Sequence, residues 1–179
     1  MLWKSHTLIT FTGILAVTMN PIAAAAAVPG ATFPDAVEIY TGGMFKHRTF
    51  THWFPIYLIP MLGILYFLYR NQGIWGQWND IWEAFQLLNT LGFWLVFVLN
   101  SLLWFLVGCL CHIVEDSLTG YIPIRTPNDE HTLRIFFYPG SPKELIFDMA
   151  FILVCFIYRA SDIVILFQEA EEMLAGHIV

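Results

Sequence analysis

Between Phe85 and Cys111 the chain runs without a formal charge, longer than the roughly 20 residues a helix needs to cross about 30 Å of hydrocarbon. A backbone in lipid must satisfy its own hydrogen bonds, and a helix does so within one segment. The run therefore predicts a membrane-spanning helix. Composition agrees, with 58% hydrophobic and only 12% charged residues, against roughly 25% charged in soluble domains. Such a chain has too little polar surface to cover itself in water. The expected fold class is all-α, a polytopic helical membrane protein, with residues 1–179 forming one membrane-embedded domain.

Two further blocks suit a span. One runs from about Trp53 to Tyr69 and stops at Arg70; the other runs from about Leu145 to Phe167 and contains Asp148, Arg159 and Asp162. Charges of that kind are expensive at the bilayer centre and are expected to face protein or an interface. A fourth apolar stretch, Thr7 to Val28, admits three readings. Lys4 before it and the alanines near its end fit a signal peptide. It also fits an ordinary fourth span. The third reading is a helical hairpin broken at Asn20-Pro21, since proline clashes with a continuing helix and biases the residue before it toward extended backbone. The residues favour the hairpin, whose arms are too short to span and must be buried against the other helices.

Orientation follows from Lys and Arg in short loops. Lys46 and Arg48 precede the Trp53 block and Arg125, Arg134 and Lys143 follow the Phe85 block, whereas the 70–84 connection carries only Arg70. The first set is expected on the cytoplasmic side, with Trp75, Trp78 and Trp82 at the opposite interface. Cys109, Cys111 and Cys155 lie in apolar stretches, lack paired zinc-motif spacing and read as small hydrophobes. The net charge of −6 leaves no basic stripe for nucleic acid.

Residues able to ligate a metal gather at the expected cytoplasmic ends. Asp35 and Glu38 lie in one segment, His47 and His52 in a second, and His112, Glu115 and Asp116 in a third; the hairpin adds His6. In a helix, positions four apart share a face, so His112 and Asp116 can direct an imidazole and a carboxylate into one space. Each piece has a plainer reading. The His/Asp pair is equally a structural ion pair at a helix end, and His52 an interfacial residue.

The ordered blocks Pro34-Asp35, His47-Arg48-Thr49-Phe50-Thr51-His52 and His112-Ile113-Val114-Glu115-Asp116-Ser117-Leu118-Thr119, followed by Ile122-Pro123 and Gly140-Ser141-Pro142-Lys143-Glu144, resemble the YdjM-like family over about residues 4–155. That family comprises membrane-bound metal-dependent hydrolases described as LexA-binding and inner-membrane-associated. The resemblance implies a bacterial inner-membrane location and a metal site of His6, Asp35, His52, His112 and Asp116. His47 or Glu115 would then support the ligands or act as general base, and Arg48 would clamp an anion or serve only as a topology charge. Imidazole and carboxylate ligands suit Zn²⁺, Mn²⁺ or Fe²⁺. Val37 stands where the family carries its second acidic residue, leaving Glu38 as a shifted substitute and the residue set for a second metal incomplete. Trp53 replaces a position that is often small, and the turn after Thr119 is one residue shorter than usual.

The expected partners are the lipid bilayer and a membrane-associated or small-molecule substrate. A transporter would also bring His and Asp to membrane helices, but the middle of the Phe85 block offers only Asn89, Asn100 and Ser101. A non-catalytic membrane scaffold with a degenerate site is the remaining alternative.

Overall fold

The computed structural model describes residues 1–42, 48–70, 91–127, 139–162 and 164–165. His47, the Trp75, Trp78 and Trp82 group, Arg134 and the start of the Phe85 block lie outside the described residues. Every regular element among the described residues is helical: α1 (Trp3–Thr18), α2 (Pro21–Gly30), α3 (Phe33–Tyr40), a short 3₁₀ turn (Phe50–His52), α4 (Pro55–Arg70), α5 (Leu91–Thr119) and α6 (Pro142–Tyr158).

The break at Asn20-Pro21 is present, and its local chemistry is legible. Met19 takes a left-handed conformation, φ 52°, that closes α1. Asn20 then caps α2, its side-chain oxygen accepting from the Ile22 and Ala23 amides, both at 3.0 Å. Pro21 occupies the first turn, where its missing N–H is no loss. The two arms pack against each other, so the segment folds as a hairpin.

α2 lies along α5 through small residues. Ala23, Ala24 and Ala27 are buried. A methyl group at Gly30 would collide with the Phe105 carbonyl, and one at Gly108 with the Ala27 carbonyl. Close backbone approach through small side chains is how helices associate in lipid, where apolar contact alone gives little preference for protein over acyl chains. On its other side α5 meets α4 through Tyr57, Leu106, Cys109 and Ile113.

Among the described residues two stretches, Phe50–Arg70 and Phe93–Thr119, are long and apolar enough to cross a membrane. The expected third span is not among them: α6 has 17 residues, with Arg159 as its C-cap. Arg159 is accommodated at a helix end: its guanidinium donates to the carbonyls of Ala16 and Val17, closing α1, and pairs with Asp162. Polarity is distributed as a lipid solvent requires. Ile59, Tyr66, Ile146 and Ile157 face outward, whereas His6, His52, His112, Glu115, Asp116, Glu144 and Asp148 are buried.

Candidate metal centre

Four elements deliver polar groups to one point. α3 begins beside the end of α2 and carries Asp35 in its first turn and Glu38 one turn later. The 3₁₀ turn presents His52, and the last turns of α5 present His112, Glu115 and Asp116. α1 brings His6 from the other hairpin arm.

Asp35, His52, His112 and Asp116 each offer a ligand atom, and these atoms all lie within 4.8 Å of one another. The two imidazole Nε2 atoms are 3.1 Å apart. His52 Nε2 stands 3.3 Å from Asp35 Oδ1 and 3.4 Å from Asp116 Oδ2. The corresponding distances from His112 Nε2 are 3.5 and 3.7 Å. Ligands about 2.0–2.1 Å from a tetrahedral metal are separated by about 3.3 Å, so these spacings fit the edges of such a polyhedron.

The tautomers follow from the outer partners. His112 Nδ1 lies 2.7 Å from the Ala31 carbonyl, which only accepts, so Nδ1 carries the proton. His52 Nδ1 lies 3.0 Å from Glu38 Oε1 and donates to it in the same way. Both rings then turn Nε2 toward the same space, an arrangement that suits a cation between them. Asp35 Oδ1 and Asp116 Oδ2 point into the same space and are buried without a hydrogen-bond partner. Two carboxylate oxygens and two imidazole nitrogens turned into one space fit a divalent cation.

The surrounding contacts hold this set in place. Glu38 also accepts from the Arg48 amide at 2.9 Å and from the Thr51 hydroxyl. Trp3 Nε1 donates to Asp35 Oδ2 at 3.1 Å. Burial works to raise the Asp35 pKa, but the imidazoles of His112 and His52 outweigh it and hold the carboxyl below its usual range. Asp116 Oδ1 accepts from the Met1 ammonium at 2.8 Å, while Arg48 Nη2 approaches Oδ2 at 3.0 Å. Arg48 has φ 56°, uncommon for a side-chain-bearing residue, and its guanidinium lies where a Gly120 Cβ would be.

His6 is near the four-atom group but is engaged differently. Its Nδ1 is 2.6 Å from Glu115 Oε2 and its Nε2 is 3.3 Å from Asp116 Oδ1. Burial opposes charge on this ring, yet Asp116 and Glu115 prevail and raise its pKa above the usual histidine value. Glu115 is buried and also accepts from Thr10 Oγ1 at 3.1 Å. Glu144 accepts from the backbone amides of Leu2, at 2.7 Å, and Gly140, tying the start of α1 to the start of α6.

Sequence reasoning missed the parts played by Glu38, Trp3 and the Ala31 carbonyl. Glu38 sits three residues after Asp35 and so shares its helical face, a signal that could have paired it with the same centre. The Ala31 and Trp3 contacts depend on how the hairpin packs and leave no mark in a motif.

No curated protein and no solved structure matches the chain. The family model described as YdjM inner membrane protein matches residues 1–169, nearly all of the 179. Its coverage includes every described element and the whole His/Asp group, and two apolar helices fit membrane insertion. The chain belongs to the YdjM family of inner membrane proteins.

Proposed function

We propose that the protein is a membrane-bound, metal-dependent hydrolase. The observation that carries this reading is the convergence of two oriented imidazoles and two carboxylates at ligand spacing. His52, His112, Asp35 and Asp116 are the ligands, and Zn²⁺, Mn²⁺ or Fe²⁺ suits that donor set. Such a metal supplies a Lewis acid for a carbonyl or phosphoryl oxygen and brings the pKa of water toward neutrality.

The protein's own groups set the conditions for that chemistry. Glu38 and the Ala31 carbonyl fix the ring orientations, as outer partners of ligating histidines do. His6 and Arg48 hold Asp116, and Glu115 anchors His6. The buried Arg48 Nε has no hydrogen-bond partner, which suits the guanidinium to an anionic substrate. His47, adjacent to Arg48 in the chain, remains the acid–base candidate carried over from the sequence.

Activity provides the test. Protein in liposomes, stripped with a chelator, is assayed on phosphodiester and carboxylester reporters before and after adding Zn²⁺, Mn²⁺ or Fe²⁺. Hydrolysis is expected only after metal addition, and Asp116→Asn should lower kcat/KM by about 100-fold or more, since an interaction with the reacting centre is lost. A wild-type rate indifferent to chelation, or no hydrolysis of either class by metal-loaded protein, would sink the proposal.

The basic blocks favour the cytoplasmic face for this centre. Single cysteines introduced by Gly42→Cys and Asn128→Cys in a chain lacking its native cysteines should both react with an impermeant maleimide only in inverted vesicles. Labelling from opposite sides would contradict the orientation.

A further inference from the structure

A groove runs between the hairpin arms, with a volume of about 510 Å³, inside the range of about 300–1,000 Å³ typical of small-molecule sites. From α1 it is walled by Thr7, Leu8 and Phe11, and from the opposite arm by Val28. Its walls are almost wholly apolar. Leu8 and Trp3 are also exposed, so the groove opens where the solvent of an inner membrane protein is lipid. Trp3 and Lys4 line it as well, and Lys4 has no carboxylate partner among the described residues.

Trp3 also connects this groove to the metal centre. Its ring borders the groove while its Nε1 donates to Asp35 Oδ2. An apolar slot, an unpaired cation beside it and direct continuity with Asp35 together define an amphiphile site. We infer that the groove between α1 and α2 takes an acyl chain of an anionic membrane lipid, whose headgroup meets Lys4 beside the Asp35 edge of the metal centre. That this lipid is the substrate rests on the hydrolase reading; that it binds does not.

Apolar chain and charged headgroup make separable contributions. The chain leaves lipid for a protein slot of similar polarity, so shape decides its binding. The headgroup gains an ammonium partner at the interface, where a lysine near anionic lipid favours it by about fivefold. A zwitterionic lipid has the same chains without that net charge.

The probe is a photoactivatable phosphatidylglycerol, compared with a phosphatidylcholine bearing the same chains, each at low abundance in phosphatidylcholine vesicles holding the full-length protein. Crosslinked peptides are mapped by mass spectrometry. Labelling is expected to concentrate on residues 3–11 and 28–32, with phosphatidylglycerol favoured by about fivefold and Lys4→Gln abolishing that preference. Thr7→Trp, which fills the slot, should remove the labelling, whereas Thr7→Ala, which does not, should retain it. Unchanged melting temperatures of both variants show that folding is intact. Groove labelling no stronger than that of the lipid-facing α4 peptide, or labelling unaffected by Thr7→Trp, overturns the inference. Metal content measured on the same samples separates the two readings. Metal with no groove labelling refutes the lipid site alone, and groove labelling without metal supports the lipid site while refuting the hydrolase.

Discussion

Replacing Asp116 with alanine should leave the purified protein almost without metal. The carboxylate stands between both imidazoles, at 3.4 and 3.7 Å, and is approached by Arg48 Nη2 at 3.0 Å. Its loss removes a ligand and also leaves the Arg48 guanidinium and the Met1 ammonium without the carboxylate they face. Breaking a buried charge pair from one side costs about 3–5 kcal/mol, so melting temperature should fall together with metal content. Asp116→Asn separates these effects, because it keeps the volume and an acceptor oxygen but weakens ligation. His52→Ala and His112→Ala should also lower metal content from about one ion per chain to near zero, since one of four ligands is removed. His131→Ala is the control, as that residue lies outside the blocks that carry the family resemblance. Metal analysis after chelator-free detergent purification decides the matter, and retention in the site variants equal to the control would contradict it.

Glu38→Ala should weaken metal affinity by about 10–100-fold without removing a ligand, the usual consequence of deleting the partner that orients a ligating histidine. Glu38 accepts from His52 Nδ1 at 3.0 Å and from the Arg48 amide at 2.9 Å. One substitution therefore frees the imidazole and the backbone that presents the guanidinium. Glu38→Gln retains an acceptor and should fall between wild type and alanine. Titration against a competing chelator gives the affinities. Equal affinity for wild type and Glu38→Ala would show that His52 is held by other means and that Glu38 has no part in the centre.

These effects indicate which features can be read from residues alone. The uncharged run ending at Cys111 and the block ending at Arg70 correspond to helices with the length and polarity of spans, because lipid imposes a requirement that composition displays directly. Asn20-Pro21 announced the hairpin through proline sterics and side-chain capping, both local. The third apolar block was less legible, since Arg159 closes α1 through contacts with Ala16 and Val17 that no pattern within α6 reveals. At the centre, helical spacing coupled His112 with Asp116, and the resemblance supplied Asp35 and His52. What neither indicated was that Glu38 and the Ala31 carbonyl orient the two imidazoles. Whether His6 faces the central space or Asp116 and Glu115 depends on the rotation of α1 against α5, a matter of three-dimensional packing. Glu38 looked like a displaced ligand in the sequence, but the helical turn from Asp35 carries it behind His52.

The central claim is that Asp35, His52, His112 and Asp116 bind one divalent metal through nitrogen and oxygen alone. X-ray absorption spectroscopy on wild-type protein purified from the membrane without chelators tests it most directly. The predicted result is about one metal per chain, with nitrogen and oxygen neighbours near 2.0–2.1 Å and the outer-ring scattering of two imidazoles. Protein free of stoichiometric metal, or a spectrum dominated by sulfur from Cys109 or Cys111, would contradict it.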